Sequence, residues 1–111
     1  VNDASEERLA RNESFFREVN ERIKDVADGI EGDEVAYEFL CECADAGCAA
    51  RITLTKAEYD EVRESPRRFV LAPGHVSPQI EHVVEREGDH VVVEKRGLAG
   101  RIAAELDPRT A

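Results

Sequence analysis

The 111 residues fall in the size range of one domain, and a split would leave pieces too small to bury a core, so a single domain spanning 1–111 is expected. Acidic residues outnumber basic ones 25 to 15, for a net charge of −10; that sign argues against nucleic acid and anionic membrane surfaces as main partners, since both are bound through Lys and Arg. No apolar run approaches the roughly 20 residues of a spanning helix, and the first residues lack the basic and apolar regions of a secretory signal, so a cytoplasmic location is the expectation.

The six aromatic residues, with no Trp or Met, leave a thin core of Val, Ile, Leu and Ala, a weakness that a bound metal would offset. Three cysteines cannot all pair within one chain, and in a reducing compartment a cysteine cluster points to metal or redox chemistry before disulfides. Twelve Arg to three Lys, with abundant Ala, Val and Glu, matches a GC-rich bacterial coding bias.

In chain order, Leu9, Phe16, Val19, Ile23, Val26 and Ile30 recur at helical spacing, which predicts a long amphipathic helix from Ala4 to about Ile30. Asn2, Asp3 or Ser5 would cap its start, and Gly29 or Gly32 would mark its end. Leu9, Phe16, Ile23 and Ile30 lie seven apart, which fits packing across a sheet or against a second helix; packing within the monomer is the simpler expectation.

Val35, Tyr37, Phe39, Cys41 and Cys43 alternate as one face of a strand, with Glu38 and Glu42 opposite; Cys48, Ala50, Ile52 and Leu54 resume the pattern after Ala44-Asp45-Ala46-Gly47. This reads as a hairpin whose connection carries the cysteines. Thr55 and Glu58 have capping-box spacing, predicting a short helix from Lys56 to about Glu64 that Pro66 stops. Arg68 to Ala72 is a third strand, and Ile80 to Arg86 and His90 to Lys95 form a second hairpin turning at Glu87-Gly88-Asp89. The runs Val83-Val84 and Val91-Val92-Val93 suggest cover on both faces. Leu98, Ile102 and Leu106 mark a terminal helix ended by Asp107-Pro108. The sum is an α+β fold: a long N-terminal helix, an antiparallel sheet of four to five strands from two hairpins, two short helices and a metal-bound loop.

The candidate chemistry lies in Cys41-x-Cys43-x4-Cys48, with His75 after Pro73-Gly74 as the fourth group. Cysteines two apart on a strand point the same way, and a polar turn containing Gly47 returns the third thiol toward them. Thiolate and imidazole donors suit zinc. The alternatives are three small buried thiols without a metal, or a Cys-x-Cys pair that binds Cu(I) or forms a strained disulfide. Glu42 and Asp45 beside the cluster would be solvated, or would orient ligands. His82 and His90 lie in strands, where a surface or core role is expected, whereas the Pro-Gly bend is free to aim His75. A further alternative leaves His75 as a base beside an open, water-bearing metal.

The stretches RNESFFREVNERI, EFLCECADAGC, EYDEVRESPRRFVLAPGHV and IEHVVEREGDHVVVEK together resemble a family of small uncharacterised bacterial proteins, chiefly actinobacterial. The resemblance covers most of the chain, and its recurrent cysteines and Pro-Gly-His correspond to Cys41, Cys43, Cys48 and His75. It implies that these residues form one site and implies no reaction.

The sequence holds no nucleophile triad, phosphate loop or paired-carboxylate motif. The preferred reading is therefore a zinc-binding interaction or regulatory module, with a protein partner or a second copy of the chain as its partner. The alternative is a metal-dependent hydrolase or a thiol-based redox sensor, in which Arg67 and Arg68 would hold an anionic substrate; whether the chain is an enzyme stays open at this level.

Overall fold

The computed structural model describes residues 3–32 and 34–109. Helix α1 (Asp3–Asp28) is followed by a hairpin of β1 (Ala36–Leu40) and β2 (Arg51–Thr55), and then by α2 (Lys56–Val62). Strands β3 (Arg68–Leu71), β4 (Glu81–Arg86) and β5 (Val91–Lys95) come next, and α3 (Gly97–Glu105) completes the fold. The α+β class and the run of elements match the pattern read from the sequence. Among the described residues, no helix is long and apolar enough to cross a membrane.

The five strands form two antiparallel sheets, β1-β2 and β3-β5-β4, rather than one. The first ladder pairs Leu40 with Arg51, and one further bond, from Cys41 N to Ala50 O at 3.0 Å, extends it. There the chain leaves β2, and Glu42 N donates to Val70 O at 2.8 Å. The alternation through Cys43 is genuine, but its hydrogen bonds turn to a different strand, which a pattern of side chains does not record.

In the second sheet β5 is central, so Val91, Val92 and Val93 are all buried. The edge strand β4 leaves Val83 and Val84 half-buried and carries a bulge between Val83 and Glu85. Thr55 and Glu58 form the reciprocal capping box, Glu58 N to Thr55 Oγ1 at 3.2 Å and Thr55 N to Glu58 Oε1 at 2.8 Å. Such a cap contributes about 1 kcal/mol. The main core joins Phe39, Ile52, Leu54, Tyr59, Phe69 and the β5 valines to Cys41 and Cys43. Phe39 and Tyr59 stack at 4.5 Å between centroids.

Helix α1 packs on α3, β1 and α2. It starts at Asp3, so Ser5 lies within it, and the suggested cap Asn2 falls outside the described residues. Its buried face follows the apolar stripe only in part: Phe16 is buried, Ile23 packs on the main core and Leu9 on a smaller cluster. Glu13, Ser14, Arg17, Asn20 and Lys24 are buried, whereas Val26 is 70% and Ile30 47% exposed. Most of these polar groups find partners, although Ser14 Oγ and Arg17 Nε are buried without a hydrogen bond. Arg17 donates to Pro66 O and Ala103 O, both at 2.6 Å, with its guanidinium 4.4 Å from the Phe69 ring centroid. Lys24 pairs with Asp28 and Asp60, and Lys95 sits against both Glu13 and Glu81. The terminal helix likewise turns Ala99, Gly100, Ile102 and Ala103 inward and leaves Leu106 39% exposed.

Candidate metal centre

Three local devices bring Cys41, Cys43, Cys48 and His75 together. The end of β1 fixes Cys41, whose Sγ accepts a hydrogen bond from Ala72 N at 3.1 Å. A turn returns Cys48: its N–H donates to Asp45 O at 3.0 Å, while Asp45 Oδ1 accepts from Gly47 N at 2.9 Å. The third device is the bend Ala72-Pro73-Gly74-His75, closed by His75 N donating to Ala72 O at 3.2 Å. Proline at its second position and Gly74 at φ +85° give it the pattern of a type II turn, which needs a residue tolerant of positive φ at the third position.

The ligand atoms of the four residues all lie within 4.8 Å of one another, close enough to hold a metal ion. His75 Nδ1 stands 3.6 Å from Cys41 Sγ and 3.5 Å from Cys48 Sγ. Cys41 and Cys43 are buried, Cys48 is half-buried and His75 is exposed, so the cluster opens to solvent on its imidazole side. There a concavity of about 290 Å³ is lined by Cys43, Ala44, Asp45, Gly74, His75 and Ser77.

Burial pushes the Cys41 and Cys43 thiols above the ordinary thiol range. For Cys41 the neighbouring thiols add to that shift and the Ala72 N–H opposes it. Such a group ionises readily only beside a compensating positive charge, which a coordinated cation supplies. The donor set therefore fits a thiophilic metal.

Glu42, between two of the cysteines, is fully buried, contrary to the expectation of a solvated carboxylate. Its Oε2 accepts from Asn20 Nδ2 and Tyr59 OH, both at 2.8 Å, and its Oε1 from Val70 N at 3.0 Å. Burial raises its pKa, opposed by these three donors and by Arg63. Glu42 thus ties α1, α2 and β3 to the backbone that carries Cys41 and Cys43, which agrees with the ligand-orienting alternative of the sequence reading and not with the solvated one. Asn20 also brackets Leu40, donating to its O at 2.9 Å and accepting from its N at 2.8 Å. The available signal was a carboxylate enclosed by cysteine neighbours, together with two amides, Asn12 and Asn20, in a helix of charges.

The remaining groups do not join the cluster. Asp45 caps its turn instead of facing the thiols. His82 is exposed on β4, and His90 is buried with Nδ1 2.8 Å from Asp89 Oδ1. Arg67 and Arg68 stand at the far end of β3 from the cluster, with Arg68 paired to Glu94 at 3.2 Å. Comparison with protein-family models, curated proteins and solved structures gives no match, so function is argued from this geometry.

Proposed function

We propose that the chain is a small zinc-binding protein whose metal is structural, held by Cys41, Cys43, Cys48 and His75, and that it acts as an interaction or regulatory module. The convergence of four ligand atoms within 4.8 Å carries the metal-binding reading, and the thiolate and imidazole donor set favours zinc. With Zn–S about 2.3 Å and Zn–N about 2.0 Å, a tetrahedral zinc sets sulfur and nitrogen donors about 3.5 Å apart. The separations of His75 Nδ1 from Cys41 Sγ and Cys48 Sγ, 3.6 and 3.5 Å, are compatible with that edge. Four protein donors would close the shell and leave no position for substrate. The resemblance in which the cysteines and Pro-Gly-His recur together supports the same grouping.

A structural zinc would tie the first hairpin to the turn after β3, joining the two sheets. Cys41 and His75 are 34 residues apart, and cross-linking a loop of that order contributes about 3–4 kcal/mol. Protein purified without chelator should carry about one zinc per chain. Removing it should lower Tm by at least about 12 °C, the shift expected for 3–4 kcal/mol in a domain of this size. His75→Ala should weaken zinc binding far more than His82→Ala or His90→Ala in metal-competition titrations. Equal affinities across the three would remove His75 from the ligand set.

A second reading, a metal-dependent hydrolase or thiol-based redox sensor, is favoured by the concavity beside exposed His75. An apo form that melts with the holo form would favour it, because a catalytic or sensory metal need not hold the fold.

A further inference from the structure

The three cysteines of the cluster are held with unequal firmness. Cys41 lies in the main core, where its N–H donates to Ala50 O at 3.0 Å and its Sγ accepts from Ala72 N at 3.1 Å. Cys48 is half-buried and stands on a short turn closed on Asp45, whose O accepts from Cys48 N at 3.0 Å and whose Oδ1 accepts from Gly47 N at 2.9 Å. Cys43 is buried at the other foot of that turn, its Sγ 3.9 Å from Asp45 O. All three sulfurs lie within 4.8 Å of one another.

We propose that the cluster is a peroxide-sensitive latch, in which oxidation joins Cys43 to Cys48 in a disulfide and releases the zinc. Exposure and backbone together select the pair. Cys48 is the thiol that solvent reaches, whereas Cys41 and Cys43 are 1 and 2% exposed, so Cys48 meets an oxidant first. Cys41 N and Glu42 N donate to two different neighbours, Ala50 O and Val70 O, as in extended backbone. Residues two apart on such backbone carry Cβ atoms side by side, about 6.5 Å from each other at 3.3 Å per residue, while a disulfide needs about 3.8 Å. A Cys41–Cys43 bond therefore requires the strand to fold. A Cys41–Cys48 bond requires the Cys41 sulfur to leave the Ala72 N–H. Cys43 and Cys48 instead bracket the turn that reverses the chain, and no backbone hydrogen bond to either sulfur has to break.

The step balances with hydrogen peroxide as oxidant. A sulfur held by zinc is a thiolate, the nucleophilic form. Cys48 Sγ attacks one peroxide oxygen, the O–O bond breaks, and Cys48 sulfenic acid and hydroxide form. Cys43 Sγ then attacks the Cys48 sulfur and expels a second hydroxide, leaving the disulfide. The two sulfurs give up two electrons, peroxide takes them, and solvent protonates both hydroxides to water; zinc stays divalent. The concavity of about 290 Å³ beside Cys43 and His75 admits a peroxide, which at roughly 60 Å³ is twice a water's share of the liquid. Only Cys41 and His75 then remain as donors, too few for a closed tetrahedral shell. The new bond closes only the segment from 43 to 48, so it does not replace the tie to the turn after β3. This deepens the regulatory half of the preceding reading, and it rests on the zinc assigned there.

The test treats zinc-loaded protein with hydrogen peroxide beside a chromogenic zinc chelator. Samples are alkylated at intervals, and the alkylated cysteine is located by fragmentation mass spectrometry. Zinc release should track a Cys43–Cys48 disulfide one for one, with Cys41 alkylated, and dithiothreitol with added zinc should restore the metal. Cys48→Ser should give no intramolecular disulfide at the same dose. A disulfide at Cys41 in either protein would overturn the proposal, as would zinc retained by the disulfide form or sulfinic acid at Cys48 in place of the disulfide. Full zinc content with no response to peroxide would also overturn it and leave the structural metal standing. Reduced protein that holds no zinc at the outset would overturn the metal reading itself, and this proposal with it.

Discussion

Two buried polar regions meet at Glu42, and they settle their polarity in different ways. At the cysteine cluster, three thiols and an imidazole converge within 4.8 Å. Two of the thiols are pushed up by burial, with no side-chain cation among their causes. Along the inner face of α1, by contrast, Arg17 is met by backbone carbonyls and the Phe69 ring, Lys24 by Asp28 and Asp60, and Asn20 by Leu40 and Glu42. The helix face supplies its own counter-groups. The cluster does not, and its four ligand atoms lie close enough to hold a metal ion. Near the start of the helix face the balance fails, since Glu13 and Glu81 share the single ammonium of Lys95.

The sharpest way to break this contrast is at Glu42, which touches both regions. Glu42→Ala removes the acceptor for Asn20, Tyr59 and the Val70 N–H, leaving three buried donors without it. A cost of about 3–5 kcal/mol is expected in denaturant unfolding, together with weakened zinc binding because Cys41 and Cys43 lose their anchor. Glu42→Gln should retain more of both. Equal zinc affinity in a destabilised Glu42→Ala protein would separate the anchor from the site.

A smaller effect is expected at the turn that presents His75. At Gly74, with φ +85°, an added Cβ meets no atom within 4 Å, so Gly74→Ala acts through backbone strain alone. A loss of about 1 kcal/mol is expected, with weaker zinc binding as His75 Nδ1 moves off the cluster. Gly88→Ala, where an added Cβ is equally free and φ is not positive, is the control and should leave zinc affinity unchanged.

The smallest effect has the opposite sign. Burial and the charge of Glu81 push the Glu13 carboxyl well above the usual carboxylate range, and Lys95 only partly offsets this. Because its folded pKa lies above its unfolded value, the proton held by Glu13 stabilises the fold fully below the unfolded pKa, and that contribution is lost as pH rises through the folded value. Glu13→Gln should therefore raise Tm at pH 8 by about 5 °C, the shift that roughly 1 kcal/mol produces, with less gain in acid. A gain that is the same across pH would place the effect elsewhere than in this ionisation.

Much of the fold was legible in the sequence because its signals are local. The period of α1, the Thr55–Glu58 capping box and the valine run of a central strand each depend on neighbours in the chain. The four candidate ligands were legible for the same reason, since residue type, short spacing and a Pro-Gly bend set them apart. What escaped was set by distant partners. The split into two sheets follows from Glu42 N turning to Val70, 28 residues away. The inward face of α1 escaped for a related reason: Glu13, Arg17 and Lys24 read as solvated until Lys95, Pro66 and Asp60 are placed beside them.

The central claim, that four side chains close a tetrahedral zinc shell, is tested most directly by X-ray absorption at the zinc edge on protein loaded with one equivalent. The account predicts three sulfur neighbours at about 2.3 Å and one nitrogen at about 2.0 Å, with His75→Ala replacing that nitrogen by a solvent oxygen while the three sulfurs stay. A wild-type spectrum with fewer than three sulfurs, or one unchanged by His75→Ala, would contradict it.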